Sequence, residues 1–392
     1  MSFPDLIFVS MENWDEVWRR NQFLCSGLAR RFPDSKILFV GLARDFSNAV
    51  RRRDFSELGQ KTLQAVSDHP NIWTTRPPKI APDSVAGGRR LNERMFRAHV
   101  GKMARRLELQ SPLLWLNPHD AVHMAGRMKE SALLYDITDD WALADFSAKQ
   151  KRLIEAQDQR LCRRADLTVV CSQALYESRQ PLASRLLLLP NGVDVAHYHA
   201  AGDEASAAPQ STLGSAAPTF GYTGTLHDER IDAQLIVALA RAFPQGRVAL
   251  IGPNMLSRQT QQLLNAEPNI ELRGPVPYAE IAAAMRPFDV CIVPHRESAF
   301  TQSLNPIKLW EYLALGKPIV STHVAGFADY PHLVHLASGA ADFVAACRSA
   351  LQEQENDADA TRRDERRAEA ARNSWDARLN QLLAALEPLK VL

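Results

Sequence analysis

The sequence predicts an α/β protein of two doubly wound, Rossmann-like domains with parallel sheets, facing each other across a cleft. Short apolar runs alternate with longer amphipathic segments along the whole chain of 392 residues, which is the pattern of repeated βαβ units. Residues 201–218 interrupt this alternation with a stretch rich in Ala, Ser and Pro, the composition of an exposed connector. Because ligands of such sheets bind at the carboxyl ends of the strands, we expect the binding site in the cleft.

The elements follow in chain order. The predicted strands of the first half are DLIFVS, KILFVG, LLWLN, ALLYDIT, LTVVCS and RLLLLP, and those of the second half are PTFGYTG, RVALIG, IELRG, VCIVP and KPIVST. Amphipathic segments predict helices within 21–31, 89–109, 146–165, 229–243, 277–287 and 305–315. We therefore expect a first domain over 1–190, a linker over 191–218, a second domain over 219–372 and a C-terminal helix over 373–392 that packs on the domains.

Composition and charge exclude several classes of protein. The chain has 46% hydrophobic residues and a formal net charge of +1, which is typical of globular proteins and not of disordered or collagen-like ones. The five cysteines are scattered and indicate neither a disulfide framework nor a zinc site, and Cys171 and Cys291 are predicted core residues. With no signal peptide and no spanning helix in the pattern, we expect a cytoplasmic protein, at most peripheral on the inner face of the plasma membrane.

Residues 352–371 are dense in charge, which indicates a solvated helix face. Charge is also uneven along the chain: residues 1–190 contain 29 basic and 22 acidic residues, whereas 191–392 contain 17 and 23. This asymmetry suggests that the first half meets something negative.

Two loops of the second half carry the features of an anion site. No G-x-G-x-x-G or P-loop motif follows any strand, which disfavours dinucleotide oxidoreductases and P-loop enzymes. In GYTGTLHDERID, residues 221–232, glycines after a strand let backbone amides approach a phosphate at a helix N-terminus, and Arg230 can add charge. The alternative is an ordinary turn with a surface arginine.

The stretch SLNPIKLWEYLALGKPIVST, residues 303–322, is more specific. Asn305 is predicted to cap a helix that begins at Pro306 and ends at Gly316. Lys308 lies in the first turn, where a cation opposes the helix dipole unless an anion such as a diphosphate is bound. Glu311, three residues on, could accept hydrogen bonds from a ribose diol. The alternative is a surface Lys308–Glu311 pair.

These motifs resemble those of GT-B nucleotide-sugar glycosyltransferases, of the family 4 and family 1 type of bacterial exopolysaccharide and cell-wall polymer (teichuronic-acid-type) synthesis. The matching segments are YDITDDW, ADLTVVCS, LPNGVD, GYTGTLHDERID, ELRGPVPYAEI and NPIKLWEYLALGKPIVST. The resemblance covers most of the chain. It implies that the second domain binds a nucleoside-diphosphate sugar and that the first domain binds the acceptor.

The resemblance also implies roles for individual residues. Glu311 matches the glutamate that holds the donor ribose, Lys308 and Arg230 match positions facing the diphosphate, and the loop from Gly274 to Val276 frames the base. Four further residues complete the expected donor-binding set: Gly224, Thr225, Asn305 and Ile307. Two positions depart from the family pattern. Ser303 replaces a second glutamate and Thr225 replaces an arginine, which leaves the sugar and the retaining or inverting outcome open.

In the first domain, the segment YDITDDW ends a buried strand with three carboxylates. A carboxylate there can remove the acceptor's proton, and we expect Asp139 to be this base, with Asp136 the weaker candidate. The alternative is that Asp139 or Asp140 caps a helix beginning at Trp141. His119 is the second catalytic candidate, although a lone histidine is more often structural.

Two further segments of the first domain could meet the acceptor. The loop over residues 10–22 offers Trp14, Arg19 and Arg20 as acceptor or phosphate contacts. The segment 89–109 combines one apolar face with a basic remainder, which is typical of a helix on an anionic membrane or of a core-packed helix with a solvated back. It has little aromatic interleaving and no recognised motif, so nucleic acid is not an expected partner.

The sequence therefore predicts a metal-independent glycosyltransferase, without a cofactor, that moves a sugar from a nucleoside-diphosphate donor to a hydroxyl of a lipid-linked or growing glycan. Two other functions stay open at this point. A sugar-nucleotide 2-epimerase has the same architecture but acts without an acceptor, and a non-catalytic relative would bind the nucleotide sugar without turnover.

Overall fold

A computed structural model describes residues 3–46, 61–83, 85–144, 146–199, 217–302, 305–353 and 358–389. The chain divides into two compact units. Met1–Asp15, Arg20–Pro190 and Leu379–Leu392 form the first unit, and Glu16–Arg19 with Asn191–Arg378 form the second. Most of the predicted linker over 191–218, and Ser303, lie outside the described residues.

The first unit is built on a twisted sheet of apolar strands. Its described strands are β1 (Leu6–Val9), β2 (Ile37–Val40), β3 (Arg44–Asp45), β4 (Gln64–Val66), β5 (His69–Thr75), β6 (Pro78–Lys79), β7 (Leu113–Leu116), β8 (Ala132–Ile137), β9 (Leu167–Val170) and β10 (Leu186–Leu188). The main sheet has the order β10-β9-β8-β7-β1-β2-β5-β4, and β3 pairs with β6 separately. Every neighbour in the main sheet is parallel except β4 against β5. Strands buried on both faces account for the continuous apolar runs.

Helices cover the faces of this sheet. Those described are α1 (Arg20–Arg31), α2 (Gly88–Arg106), a 3₁₀ turn (His119–His123), α3 (Ala148–Arg164) and α4 (Gln173–Arg179). The alternative in which a helix begins at Trp141 is wrong, because residues 141–144 form turns and α3 begins only at Ala148. Ser147 caps α3 in a capping box with Gln150, so neither Asp139 nor Asp140 is needed as a cap.

The basic segment predicted over 89–109 is helix α2, and its apolar face is only partly exposed. Val100 and Met103 are buried in the core of the first unit, with Phe96 packed against them. Leu91, nearer the start of the helix, is 45% exposed. The C-terminal half of α2 is therefore a core-packed helix. Among the described residues, no helix combines the length and the apolar character needed to cross a membrane.

The second unit contains a six-stranded parallel sheet. Its described strands are β11 (Thr219–Thr223), β12 (Arg247–Ile251), β13 (Ile270–Arg273), β14 (Val290–Val293), β15 (Ile319–Thr322) and β16 (His335–Ala337), in the order β13-β12-β11-β14-β15-β16. The described helices are α5 (Ala233–Ala242), α6 (Arg258–Asn265), α7 (Tyr278–Met285), α8 (Ala299–Gln302), α9 (Ile307–Leu315), α10 (Gly339–Glu353) and α11 (Ala358–Arg372). The order reverses between β11 and β14, as in nucleotide-binding Rossmann sheets.

Helix α9 confirms one predicted boundary and corrects the other. Gly316 ends it in a left-handed conformation, with φ of 76°. Asn305, predicted to cap it, does not, because no side chain caps this helix. The Asn305 side chain instead accepts a hydrogen bond from the Asn191 backbone amide at 2.8 Å, and the Asn191 side chain donates to the Asn305 carbonyl.

The last described helix, α12 (Trp375–Leu386), returns the chain to the first unit. It packs on α1 where Gly27 leaves room for Leu379: a Cβ atom at residue 27 would lie 2.2 Å from Leu379 Cδ1. The five cysteines are free and buried, which confirms the prediction for Cys171 and Cys291.

The charged segment predicted as a solvated face contains a fully buried cation. Arg366 of α11 is 0% exposed, and its Nη2 lies 2.8 Å from Glu353 Oε1. Glu353 Oε2 also lies 2.8 Å from His335 Nε2 and 3.0 Å from Arg362 Nη1. Although burial opposes it, this set of partners lowers the pKa of Glu353 to about 2. A charged helix thus anchors itself to α10 through one carboxylate.

Glu353→Gln should lower the free energy of unfolding by roughly 2–3 kcal/mol at pH 7, since the ionised carboxylate loses its partners. Because the folded-state pKa lies below the ordinary value of 4.5, this stabilisation is complete above that value and disappears as pH falls through about 2. Urea unfolding of wild type and variant between pH 7 and pH 2 checks it. The exposed Glu365→Gln on α11 is the control and should change stability by less than about 0.5 kcal/mol. Equal losses of stability in the two variants would contradict a structural role for the Glu353 carboxylate.

Candidate active site

The reversal of strand order in the second unit places two loops side by side. The loop after β11 begins at Gly224, and the segment after β14 leads to His295. Carboxyl ends of parallel strands meet at one edge, and the loops on either side of the reversal leave a crevice there. Lys308 and Glu311 lie on α9, which follows β14 and the short helix α8 in the chain.

Glycines allow the backbone at this edge to pack without side chains. Gly224 has φ of 135° and Gly252 has φ of 144°, a region that L-residues rarely adopt. A Cβ atom at Gly252 would lie 2.2 Å from the Gly224 carbonyl oxygen, and one at Gly224 would lie 3.0 Å from Lys308 Nζ. The backbone at Gly224 therefore passes directly beside the lysine ammonium group.

Lys308 is a half-buried cation with few compensating contacts. Its Nζ lies over the Tyr222 ring, 5.3 Å from the centroid, and among the described residues no carboxylate oxygen lies within 4 Å of it. Burial and the neighbouring Arg230 lower the pKa of Lys308 to about 8, while Glu311 acts in the opposite direction. A bound anion would supply the missing counter-charge.

Polar contacts hold the strand ends around this lysine. The Tyr222 hydroxyl lies 3.1 Å from His295 Nε2. Burial, with Lys308 and Arg230 nearby, lowers the pKa of His295 well below its ordinary value, so His295 is neutral and adds no charge to the site. The Tyr312 hydroxyl accepts a hydrogen bond of 2.9 Å from the Thr223 amide. These contacts order the end of β11 just before Gly224.

Glu311 lies one turn further along α9 and keeps part of its surface open to solvent. Burial raises the pKa of this carboxyl group, and the Tyr198 hydroxyl and Lys308 oppose the increase. Tyr198 itself is buried, with 1% of its surface exposed. Glu311 is therefore a carboxylate that lies near Tyr198 and Lys308 and is still accessible to a ligand's hydroxyl groups.

The other predicted donor residues lie in the same unit. Arg230 lies before α5, with its guanidinium 5.5 Å from the centre of the Phe300 ring. Thr225 and Ile307 are half-buried, Gly274 is exposed after β13, and Val276 packs on the core beside α7. Asn305 is held by Asn191, as described above.

In the first unit, Asp139 and His119 line one cavity of about 280 Å³. The cavity also contains a buried network that the sequence did not indicate. Arg179 lies 2.7 Å from Asp140 and 3.1 Å from Asp158, and the Tyr135 hydroxyl donates to Asp158 at 2.7 Å.

The candidate acid–base groups in this cavity differ in environment. Burial lowers the pKa of His119, so it is neutral at pH 7. Asp139 is half-buried and accepts a hydrogen bond of 3.2 Å from the Thr138 hydroxyl. Asp140 is committed to Arg179. Asp139 is thus the carboxylate of this pair that does not form the ion pair with Arg179.

The residues predicted as acceptor or phosphate contacts, Trp14, Arg19 and Arg20, have different surroundings. Asp136 is fully buried, and both its oxygens accept hydrogen bonds from Arg20, at 3.1 and 3.2 Å. Trp14 packs edge-on against Phe39, with 5.1 Å between ring centroids. Arg19 belongs to the second unit and donates to the Val17 carbonyl at 2.9 Å.

Sequence reasoning missed Tyr198, Tyr222, His295 and Arg179. A tyrosine or histidine near a strand end carries little signal by itself, because its partner comes from a different βα unit. A small signal was present for Tyr222, which lies inside the GYTGT motif.

Removing the Lys308 charge should stabilise the unliganded protein, since burial and Arg230 disfavour the ammonium group. We expect Lys308→Met to raise the free energy of unfolding by roughly 1–2 kcal/mol in urea at pH 7. Lys317→Met is the matched control, because the Lys317 ammonium donates to the carbonyls of Arg286, at 2.9 Å, and Phe288. The Lys317→Met variant should lower the free energy of unfolding by about 1–2 kcal/mol. A loss of stability in both variants would show that Lys308 is an ordinary structural lysine.

Comparisons with known proteins agree with this geometry. Residues 217–353 match the family model described as glycosyl transferases group 1. The chain is 27% identical over 271 residues to TuaH of Bacillus subtilis (strain 168), named as a teichuronic acid biosynthesis glycosyltransferase. That match covers 64% of this chain and 66% of the relative, just under two thirds of its length.

Solved structures are similar over nearly the whole chain. Sucrose-phosphate synthase from Thermosynechococcus elongatus gives a TM-score of 0.71 at 15% identity, covering 98% of this chain and 99% of that one. HepE from Anabaena in complex with UDP-glucose gives a TM-score of 0.67 at 16% identity, covering 99% of this chain and 100% of that one. Identities this low establish the fold alone. The chain thus has the GT-B fold that its sequence motifs suggested.

Proposed function

We propose that the protein is a glycosyltransferase that moves a sugar from a nucleoside-diphosphate sugar to a hydroxyl of a lipid-linked or growing glycan acceptor. One observation carries the proposal: a half-buried lysine without a carboxylate partner among the described residues lies beside the Gly224 backbone, one turn before an accessible glutamate. The match of the second unit to the group 1 family supports it. So do the complexes of the structural relative HepE with UDP and with UDP-glucose.

The donor would bind along this edge of the second sheet. Lys308 and Arg230 would neutralise the diphosphate, and the glycine-lined backbone would let the phosphates approach closely. Glu311 would accept hydrogen bonds from the two ribose hydroxyls. The loop at Gly274 to Val276 would lie against the base. These groups supply the charge for the diphosphate from side chains, and independence from metal ions stays a prediction.

Transfer would form a bond between the acceptor oxygen and the sugar's anomeric carbon, and would break the bond from that carbon to the donor phosphate. The electron pair leaves with the nucleoside diphosphate, whose added negative charge Lys308 and Arg230 would stabilise. The acceptor's proton must leave as the new bond forms, and Asp139 would take it. If the reaction instead retains configuration, the departing phosphate oxygen would take this proton.

The acceptor would bind in the first unit, where Asp139 and His119 line the cavity of about 280 Å³. The buried ion network beneath the cavity fixes its wall, since Arg179 holds Asp140 and Asp158 together. A location on the inner face of the plasma membrane would suit a lipid-linked acceptor, and the exposed Leu91 and the basic residues of α2 are the part of this unit suited to an anionic bilayer.

Glu311→Ala should weaken nucleoside-diphosphate binding at least about tenfold, because a charge-assisted hydrogen bond contributes roughly 1.5–3 kcal/mol. Calorimetric titration with UDP measures the affinity, and the melting temperature should change little. Glu280→Ala, an exposed glutamate of α7, is the control and should bind as the wild type does. If Glu311→Ala binds UDP normally, the ribose assignment is wrong.

Asp139→Asn should reduce transfer by about 10²–10⁴ while donor affinity survives, since the amide cannot take a proton. Asp140→Asn should keep most activity but lose roughly 1–3 kcal/mol of stability through the weakened Arg179 pair. Turnover with saturating acceptor, together with thermal unfolding, separates the two. Near-normal turnover of Asp139→Asn would remove it as the base and make His119 the next candidate. Donor consumption without any acceptor would favour a 2-epimerase.

A further inference from the structure

A second cavity of the first unit, of about 380 Å³, has a cationic lining. It lies where α2, the turn after the 3₁₀ helix and α3 come together. Its charged and titratable lining residues are Arg97, His123, Arg127, Arg160 and Arg164. Neither Asp139 nor any predicted donor residue belongs to it, so it is separate from the site described above.

These four arginines form no ion pair in the part of the chain that the structure describes. Among the residues that the structure describes, no carboxylate oxygen lies within 4 Å of any of the four guanidinium groups. The acid closest in sequence to the turn, Glu130, is already used: its carboxylate accepts hydrogen bonds from the backbone amides of Gly126 and Met128, the latter at 2.9 Å. Exposed arginines usually find a carboxylate or face open water, and four around one concavity concentrate positive potential there.

Two of the arginines are held in place by the turn. Arg97 Nη1 donates to the His123 carbonyl at 3.4 Å, and Arg164 Nη2 donates to the Ala125 carbonyl at 3.0 Å. Gly126 has φ of 73°, and a Cβ atom there would lie 2.8 Å from Arg164 Nη2. Glycine at this position therefore permits the close approach of Arg164. Each guanidinium has five N–H donors, so most of them stay available to a ligand.

The histidine in the cavity, His123, is neutral. Burial is the main cause that lowers the pKa of His123 to about 4, and Arg97 adds to the effect while Asp120 opposes it. The Phe96 ring packs edge-on against the imidazole, with 5.5 Å between centroids. His123 is thus a neutral residue of the cavity lining, and the positive charge of the cavity comes from the arginines.

We propose that this cavity is a binding site for a phosphate group. Arginine forks match the oxygens of a phosphate and bind them by paired, charge-assisted hydrogen bonds. The phosphate could belong to a soluble phosphorylated molecule or to the headgroup of an anionic lipid, since the recognised chemistry is the same. The site would bind phosphate whether or not the protein transfers sugar.

The test compares two double variants that each remove two positive charges. Arg127→Gln with Arg160→Gln removes two cavity arginines that form no ion pair in the described residues. Arg152→Gln with Arg163→Gln removes two exposed arginines of α3 outside the cavity. Calorimetric titration with inorganic pyrophosphate, in a Lys308→Gln background that weakens the donor site, measures soluble phosphate binding. Sedimentation with phosphatidylglycerol or phosphatidylcholine vesicles measures headgroup binding.

We expect the cavity double variant to weaken pyrophosphate binding, or phosphatidylglycerol sedimentation, at least about tenfold. The control double variant should change pyrophosphate affinity and phosphatidylglycerol sedimentation by less than about twofold. A selective loss with pyrophosphate indicates a soluble ligand, and a selective loss with phosphatidylglycerol vesicles alone indicates a lipid headgroup. Equal losses in both double variants, or no binding of either probe by the parent protein, would overturn the proposal.

Discussion

The close approach of two glycines at the end of β11 is the constraint on which the second unit's site depends. Because Gly252 has no side chain, its backbone can contact the Gly224 carbonyl, and Gly224 in turn can lie beside Lys308. A lysine in the first turn of a helix, near Arg230 and without an ion pair among the described residues, lowers the stability of the empty protein. Such a position is understandable if an anion occupies the site during function. The free energy of binding the anion then offsets the stability that the unliganded protein loses.

The first unit has the same reversal of strand order, between β1 and β7, but a network of polar side chains occupies the position of the crevice there. Asn117, directly after β7, accepts from Asn21 at 3.0 Å and donates to the Asp136 carbonyl at 2.9 Å. Arg20 and Asp136 add a buried ion pair beside it. Removing one member of such a pair leaves an uncompensated charge, which makes this network structural. The open cavity lies further along the sheet, beyond the end of β8, and Asp139 lines it.

Several features could be predicted from local sequence because their causes are local. Apolar runs bounded by turn residues marked the strands, and Gly316 marked the end of α9. Lys308 and Glu311 stood out because their positions in one helix are unusual without a ligand. The cap predicted at Asn305 and the alternative cap at Asp139 or Asp140 are both absent for a common reason. A short polar side chain before a helix can bind its own backbone or a distant group, and here Asn191, Ser147 and Arg179 determine the outcome.

The sequence by itself determined the fold class, the eleven strands with continuous apolar runs and the helix that carries Lys308 and Glu311, since each depends on residues within a few positions of one another. It did not indicate strands β3 to β6 or β16. Only the tertiary structure decided which polar groups meet: Arg20 with Asp136, Arg366 with Glu353, and four arginines around one cavity. Periodicity specifies which face of an element is apolar. It does not specify which other element covers that face, because the sheet order and the crossover connections bring together residues that are distant in the chain.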